Sequence, residues 1–132
     1  MPAKPASPAP APQGTGLAEA LVDLAHDVLH LFAEAGREHR LSQQQVELIC
    51  TVIGRDSVGM SELGELLRLE KSNLSNLVDR LEQRGLVVRH RDPHDRRATL
   101  VSLTDEGRSV AVETYESATG SVRSLRPSQR EP

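Results

Sequence analysis

Residues 17–35 repeat apolar and polar positions with the period of an α-helix. Between Leu17 and Ala35 the apolar residues cover a wide arc of the predicted helix, wider than packing against a single neighbour requires. Acidic and histidine side chains occupy the remaining positions. The pattern therefore predicts a helix buried on two sides, one against its own core and the other against a second subunit.

Three more helical patterns follow this first helix. Ser42 is placed to cap a helix that Gly54 ends, and Ser61 is placed to cap a third. The fourth pattern spans Lys71–Arg84, before a stop at Gly85, and its predicted buried stripe consists of Leu74, Leu77, Val78 and Leu81. Because only a very short turn separates the third and fourth patterns, they predict a helix-turn-helix.

Two β-branched segments, "LVVRH" and "ATLVSL", follow Gly85. An acid–base cluster, Asp92–Arg97, lies between them and contains Pro93. A connection of about six or seven residues that includes a proline is typical of a hairpin loop, and Thr104 is placed to cap a final helix after it. The sequence thus predicts a mainly α fold with a small β-hairpin wing, a winged helix-turn-helix.

The two ends of the chain differ from its middle in composition. Residues 1–15 are dominated by Pro and Ala, and such a segment buries too little apolar surface to offset its ordering entropy, so we expect a disordered arm. Residues 119–132 are rich in Arg, Ser and Pro, and we expect a disordered tail there. Residues 16–118 then form a single domain whose first helix is a dimerisation element.

Charge and cysteine content narrow the class of protein only slightly. The net charge of −3 does not exclude a nucleic-acid partner, because five arginines lie close together between Arg84 and Arg97. The single cysteine, Cys50, cannot form an internal disulfide and fits a reducing compartment. No stretch is apolar enough to span a membrane, and the N-terminal segment lacks the apolar core of a secretory signal. We therefore expect a cytoplasmic protein without a membrane partner.

The polar face of the Lys71–Arg84 helix is the first candidate site. Its Ser, Asn and Lys side chains suit phosphates and base edges of double-stranded DNA, although a solvated face is the commoner explanation for any one such helix. The preceding helix and the basic hairpin favour DNA contact. The candidate DNA-binding residues are Ser61, Lys71, Ser72, Asn73, Ser75, Asn76, Arg80, Arg91, His94, Arg96 and Arg97.

The acid–base cluster is the second candidate site. Arg96 and Arg97 lie beside Asp92 and Asp95, and a surface ion-pair cluster of this kind would contribute little to stability. In the functional interpretation, one arginine enters a minor groove and the aspartates hold the arginines in position through charge-assisted pairs. Asp92 and Asp95 are therefore predicted to be wing-orienting residues.

Metal, redox and catalytic sites have weaker support. His26 and His30 are four residues apart and could bind a metal, but a solvated helix face is the better interpretation. Cys50 lies in an apolar stripe without a basic neighbour in sequence, which favours an inert buried thiol over a redox sensor. We find no nucleophile–base pairing, phosphate-binding glycine loop or convincing metal-ligand cluster, and we therefore expect neither an enzyme nor a cofactor.

The motifs "LVDRLEQRGLV", "DPHDRR" and "SLTDEGR" together resemble the winged helix-turn-helix core of the MarR family of bacterial regulators. They lie within Met60–Arg108, and the earlier helices fit more loosely back to Leu17. The resemblance implies a homodimer that binds pseudo-palindromic operators, with Lys71–Arg84 as the recognition helix and Arg97 as the wing-tip arginine that enters the minor groove. It also implies DNA release by a small phenolic or lipophilic effector, or by oxidation of a cysteine.

The end of the chain departs from the family's pattern. Family members carry a long helix after the "LTDEG" turn and then another, both part of the dimer, whereas here Gly120 soon follows and the last helix is expected to be missing. Dimer stability would then depend more on the first helix. Our interpretation is a transcriptional regulator, a ligand-responsive repressor that binds DNA as a homodimer. The alternative is a winged-helix protein-interaction module that lacks its own DNA binding.

Overall fold

The computed structural model describes residues 3–6 and 16–124 of the chain. In these residues the chain forms helices around a small sheet. The helices are α1 (Gly16–Arg37), α2 (Gln43–Ile53), α3 (Met60–Leu67), α4 (Lys71–Gln83) and α5 (Asp105–Ser124). The strands are β1 (Val58–Gly59), β2 (Val87–Asp92) and β3 (Asp95–Leu103).

The hydrophobic core lies between the middle helices and the sheet. Ser42 begins α2 with a capping box shared with Gln45, and Gly54 is the C-cap, so both predicted ends of this helix are confirmed. The predicted stripe of α4 is also confirmed, because all of its members are buried in the core. Burial of this stripe leaves the polar side of α4 facing outward.

The turn between α3 and α4 is short and tightly closed. Arg68 ends α3 with a φ of 54°, in the left-handed region, and the N–H of Leu69 donates to the carbonyl of Gly64 at 3.0 Å. The N-cap of α3 is Gly59, and no side-chain hydrogen bond caps this helix, so the prediction that Ser61 is the cap is wrong. Pairing of β1 with β3 sets the start of α3 instead.

The wing is an antiparallel hairpin that belongs to a three-stranded sheet of order β1-β3-β2. Its turn consists of Pro93 and His94, which is shorter than the predicted loop, because Asp92 and Asp95 pair with each other across it. The Asp92 carboxylate accepts the backbone N–H of His94 at 2.8 Å, a side-chain contact that closes such turns. Strand β1 was not predicted, since two residues are too few to show an alternating pattern.

The last helix is longer than the sequence pattern suggested. Thr104 caps α5 as predicted, because its hydroxyl accepts the N–H of Gly107 at 3.0 Å. The helix continues to Ser124, so residues 119–124 are helical, which corrects the prediction of a tail that begins at 119. Packing against α1 and α2 outweighs the helix penalty of Gly120, about 1 kcal/mol relative to Ala. The buried residues of α5 are Gly107, Ala111, Thr114 and Ala118.

The predictions for the two ends are only partly covered by the structure. Residues 3–6 are exposed and lie in neither a helix nor a strand. The rest of the predicted arm, residues 1–2 and 7–15, and the end of the predicted tail, residues 125–132, lie outside the described residues. Among the helices that are described, none combines the length and the apolar character that crossing a bilayer requires.

Helix α1 packs on the core only through its C-terminal half. Ala35 is 5% exposed and Phe32 packs against the core, with its ring centroid 6.5 Å from that of Tyr115 on α5. The N-terminal half carries a row of exposed apolar side chains, with Leu17 exposed at 76% and Leu21 at 56%. Together with Leu29, which is exposed in the second half of the helix, these side chains form what we call the α1 apolar face: Leu17, Leu21, Val22, Leu24 and Leu29. Within the described part of the chain, one of the two predicted packing sides is therefore filled, and the other is exposed.

Candidate nucleic-acid interface

The fold leaves a groove between the helix-turn-helix and the wing. Helix α3 and the start of α4 form one wall, β2 and β3 form the other, and the volume between them is about 810 Å³. We call this space the wing groove. The predicted DNA-binding residues that line it are Ser61, Lys71, Ser75 and Arg97. Side chains from three separate elements, distant in sequence, therefore meet on one surface.

The outer face of α4 is open to solvent beyond the groove. Ser75 is the exception, because its carbonyl and hydroxyl oxygens accept hydrogen bonds from the Arg89 guanidinium at 3.0 and 3.3 Å. This contact holds Ser75 within the protein and makes it a poor candidate for reading a base. The predicted site residues of α4 that are exposed are Lys71, Ser72, Asn73, Asn76 and Arg80.

The wing carries the remaining candidates, all of them exposed: Arg91, His94, Arg96 and Arg97. His94 lies in the turn, at the tip of the hairpin. Arg97 lies on β3, and it lines the wing groove. The family resemblance implies a wing-tip position for Arg97, whereas the structure places it on the side of the wing that faces α3 and α4.

The two aspartates of the wing orient the backbone rather than the arginines. The Asp95 carboxylate accepts the backbone N–H of Arg97 at 3.0 Å, and Asp92 contacts the N–H of His94. Among the described residues, neither carboxylate forms an ion pair with Arg96 or Arg97, so the predicted charge-assisted pairs are not formed in this structure. The tight turn explains the difference, because an Asp side chain reaches the N–H two residues later most easily.

Arg89, one of the five clustered arginines of the sequence, is a further functional candidate that was not predicted as a site residue. Its guanidinium forms ion pairs with Asp79, at 2.7 Å, and with Glu82, both on α4. Burial alone would lower the pKa of this guanidinium, but the hydrogen bonds and charges of the two carboxylates outweigh it and raise the pKa. Arg89 therefore fixes the angle between α4 and the wing. The signal was present in the sequence, since Asp79 and Glu82 are three residues apart on one helix.

The charge inside the wing groove is mixed. Arg68, which the sequence analysis did not single out, is exposed and lines the groove together with Lys71 and Arg97. Glu65 and Glu70 line it as well. A polyanion would thus meet cations from the helix-turn-helix turn, from the start of α4 and from the wing, with two carboxylates that disfavour unselective binding.

The metal and redox candidates gain no support from the structure. His26 and His30 are exposed on α1, and His30 pairs with Glu34 at 3.1 Å. A search of the described residues finds no group of three metal-ligating side chains there or elsewhere. Cys50 borders a cavity of about 250 Å³ between α1 and α2, and burial raises the pKa of its thiol to about 11. A thiol with so high a pKa forms little thiolate at neutral pH.

Comparison with known proteins matches the same part of the chain. Residues 41–99, which run from the residue before the Ser42 cap into β3, match the family model described as the MarR family. The segment contains both helices of the helix-turn-helix and most of the wing. Residues 41–99 are a MarR-family domain. Two of the three sequence motifs, "LVDRLEQRGLV" and "DPHDRR", lie within this segment, and the resemblance to the MarR family is thereby confirmed.

Curated relatives of this MarR-family domain are named as regulators of transcription. The chain is 35% identical over 68 residues to the uncharacterized HTH-type transcriptional regulator YdgJ of Bacillus subtilis (strain 168). That alignment covers 52% of this chain and 42% of YdgJ. The chain thus spans about half the length, or less, of the curated relatives it matches.

Solved structures confirm the winged helix-turn-helix fold. A mutant of MarR from E. coli superposes with a TM-score of 0.73 at 21% identity, over 81% of this chain and 79% of that one. A mutant of MarR from E. coli complexed with operator DNA gives a TM-score of 0.66 at 20% identity, over 85% of this chain and 84% of that one. At these identities the likeness concerns the fold.

Proposed function

We propose that this chain binds double-stranded DNA with sequence specificity and regulates transcription, without enzymatic activity. The observation that carries the proposal is the wing groove, where Lys71, Arg68 and Arg97 from three elements converge beside the exposed polar face of α4. This is the arrangement in which a helix enters a major groove and a wing reaches the neighbouring backbone or minor groove. The DNA-bound MarR structure with the same fold supports it.

The proposal includes a homodimer on a pseudo-palindromic operator. Support comes from the α1 apolar face, which joins exposed Val112 and Tyr115 of α5 as unburied apolar surface on the side of the molecule formed by α1 and α5. Covering such a face with a second copy buries it symmetrically, and symmetric dimers read symmetric sites. A dimer seated on an operator excludes other proteins from that DNA, so we propose repression as the direction of control.

A salt titration tests DNA binding against the alternative of a protein-interaction module. If about six phosphates or more are contacted, affinity for an operator fragment falls by about a thousandfold between 50 and 200 mM salt. The sites bound in the genome, mapped by footprinting, supply the fragment. An apolar protein interface shows no such dependence, so affinity independent of salt would contradict the proposal and favour the interaction module.

Substitution of Asn76 tests sequence reading separately from charge. Asn76 is exposed on α4 and lies off the buried stripe, so Asn76→Ala should leave folding intact. Loss of a good base contact weakens operator binding by about 1–3 kcal/mol and relaxes preference at one position. Ser72→Ala tests the neighbouring exposed position in the same way. Equal weakening on operator and random DNA would reduce either residue to a phosphate contact.

Ligand response is the remaining part of the proposal. The cavity between α1 and α2 is lined largely by apolar side chains, and it borders the helix that carries the proposed dimer face. A small phenolic or lipophilic molecule in this cavity would stabilise one arrangement of α1 against α2. Titration of a panel of phenols against the operator complex tests the idea. Release by a phenol in the wild type, weakened by Cys50→Leu, which narrows the cavity, is the expected result.

A further inference from the structure

Arg84 joins the end of α4 to a distant part of the chain. It is the C-cap residue of α4, and its guanidinium donates from Nη2 to the carbonyl of His39 at 2.6 Å and from Nη1 to that of Arg40 at 2.8 Å. These acceptors lie 45 and 44 residues earlier in sequence. A planar guanidinium that donates to two successive carbonyls restricts the orientation of the Arg84 side chain relative to that segment as well as its distance. A single hydrogen bond does not restrict the orientation in this way.

The acceptors belong to the turn between α1 and α2, residues 38–40. Arg40 has a φ of 56°, in the left-handed region, and the N–H of Leu41 closes the turn on the carbonyl of Gly36 at 2.9 Å. The turn follows the C-terminal end of α1, where the helix dipole favours a cation. Arg84 thus satisfies carbonyls that the left-handed turn directs away from α1.

The same turn is connected to α5. The imidazole Nε2 of His39 lies 3.2 Å from the Glu113 carboxylate, and only about a fifth of the His39 side chain is exposed. One turn of three residues therefore contacts the end of the recognition helix through its carbonyls and α5 through its side chain. The α1 and α5 helices carry the proposed dimer surface, so the turn lies between the DNA-reading and the dimer-forming parts of the fold.

We propose that Arg84 is a positioning residue that fixes the recognition helix relative to α1 and α5, and thereby sets the spacing of half-sites that the dimer accepts. The inference rests on the proposed function, since it needs a dimer on DNA. Half-sites lie about one helical turn apart, and one added base pair moves a half-site by about 3.4 Å and rotates it by about 35°. If the recognition helices are held rigidly, the dimer cannot place both of them on half-sites with the altered spacing. If they are held loosely, the dimer can adapt to the new spacing in part.

Direct DNA contact by Arg84 is the competing explanation. In helix-turn-helix complexes the N-terminal residues of the recognition helix contact base edges, and Arg84 lies at the opposite end of α4. In addition, both terminal nitrogens of its guanidinium already donate to the carbonyls of His39 and Arg40. A phosphate contact would weaken all DNA equally, whereas loss of a positioning contact changes the dependence on spacing. The two explanations therefore predict different ratios between the affinity for the preferred operator and the affinity for operators with altered spacing.

The experiment measures dissociation constants for the preferred operator and for variants with one or two base pairs added or removed between half-sites. The variants of the full chain are Arg84→Ala, Arg84→Lys and, as a matched control, Arg55→Ala. Arg55 is also an exposed arginine, and it follows α2. It donates to the carbonyl of Thr51 near the end of that helix, at 2.9 Å, and among the described residues no side-chain hydrogen bond or ion pair connects it to another element. Melting curves accompany each variant, and Arg84→Lys serves if Arg84→Ala does not fold.

We expect the wild type to lose about tenfold or more in affinity when the spacing changes by one base pair. In Arg84→Ala this ratio should shrink severalfold, in Arg84→Lys it should shrink less, and in Arg55→Ala it should stay at the wild-type value. A single half-site should be bound equally by all of them. An unchanged ratio in Arg84→Ala, or a uniform loss on every DNA, overturns the inference while leaving the proposed function intact. If the wild type binds no DNA, both the inference about Arg84 and the proposed function are wrong.

A second measurement tests the anchoring without DNA. Nitroxide labels at Gln83→Cys, on a Cys50→Ala background, report the distance between the two recognition helices of a dimer. The distance distribution should be narrow in the wild type and broader in Arg84→Ala, with Arg55→Ala again as the control. Equal widths would show that other contacts hold α4 and would contradict the assignment of Arg84.

Discussion

At the scale of single residues, the structure separates arginines that are free to bind from arginines that hold the fold. Arg84 and Arg89 are engaged by carbonyls and carboxylates of the protein, whereas Arg96 and Arg97 are exposed on the wing. The basic segment of the sequence thus overstates the charge that is available to DNA. Of the exposed wing arginines on β3, Arg97 lines the groove beside α4.

Arg97→Ala should weaken operator binding by about 1–3 kcal/mol, while the thermal midpoint hardly moves because the side chain is exposed. Arg97→Lys should recover part of the loss, since it keeps the charge without the planar fork. If Arg97 enters a narrow minor groove, the loss is larger on operators with A·T-rich flanks than on G·C-rich ones. Binding isotherms on both flank types measure this.

Two matched variants sharpen this test. Arg96→Ala removes a neighbouring exposed arginine that is not among the groove-lining residues, and it should have the smaller effect. Asp95→Asn keeps an oxygen that can accept the N–H of Arg97, so it should change little, whereas Asp95→Ala should mimic part of the Arg97→Ala loss. A loss from Arg97→Ala that is equal on both flank types would identify a phosphate clamp instead.

Cys50 should react slowly with alkylating reagents. Because burial raises its pKa to about 11, the thiolate fraction at pH 8 is about a hundredfold lower than for a thiol with a pKa near 9. Iodoacetamide should therefore modify the folded protein far more slowly than the same protein unfolded in urea, which is the internal control. Raising the pH towards 11 should accelerate the folded-state reaction. Equal rates in the two states at pH 8 would restore the redox-sensor hypothesis.

At the scale of elements, the helices were predictable from local pattern, and their mutual arrangement was not. The stripe of α4 and the caps at Ser42 and Thr104 depend on residues a few positions apart, so the sequence shows them directly. Strand β1 is too short to show periodicity, and α5 continues through Gly120 because tertiary packing decides there. The candidate residues were found by type, but their grouping in one groove depends on long-range contacts such as that of Arg89 with α4.

Arg89→Met should separate the wing from α4. The substitution removes ion pairs to Asp79 and Glu82 and the hydrogen bonds to Ser75, in a site where Arg89 is three-quarters buried. We expect the free energy of unfolding to fall by about 1–3 kcal/mol, since hydrogen bonds of charged groups are the stronger ones. Arg91→Met on the same strand is the control, because Arg91 is exposed, and it should change stability by less than about 0.5 kcal/mol. Urea unfolding measures both.

Operator binding by the same pair of variants completes the comparison. If the Arg89 contacts set the angle between α4 and the wing, Arg89→Met weakens specific binding even at temperatures where it is fully folded. Arg89→Lys should recover little of this loss, because a lysine cannot bridge both carboxylates and the carbonyl of Ser75. If Arg89→Met is as stable as Arg91→Met and binds the operator as tightly, then packing alone holds the wing against α4.

At the scale of the whole molecule, the fold has an apolar face that residues 3–6 and 16–124 leave exposed. The α1 apolar face and the neighbouring apolar residues of α5 are exposed, although α1 is otherwise anchored by Ala35 and Phe32. An apolar row of this length on a helix that is already packed at one end fits a second copy better than it fits water. Helix α5 reaches Ser124, so it also extends this surface further than the sequence pattern suggested.

Leu21→Glu should dissociate the proposed dimer. Leu21 is 56% exposed in the monomer, so a charge there leaves the monomer core intact, but it must be desolvated if the α1 apolar face is an interface. In a symmetric dimer the change occurs twice. Only the exposed half of each Leu21 side chain remains to be buried, so the two lost burials amount to about 2–3 kcal/mol, which weakens dimerisation by about thirtyfold or more before the desolvation of the charges is added. His30→Glu places the same charge on an exposed position of α1 that is not three or four residues from any member of the α1 apolar face, and it should leave the dimer unchanged. Analytical ultracentrifugation over a concentration series distinguishes the two variants. If Leu21→Glu sediments as a dimer like the wild type, the interface lies elsewhere on the chain. If the variant is a folded monomer, the α1 apolar face is the interface that holds the two recognition helices of the dimer together. Operator affinity of that variant should then fall to the affinity for a single half-site.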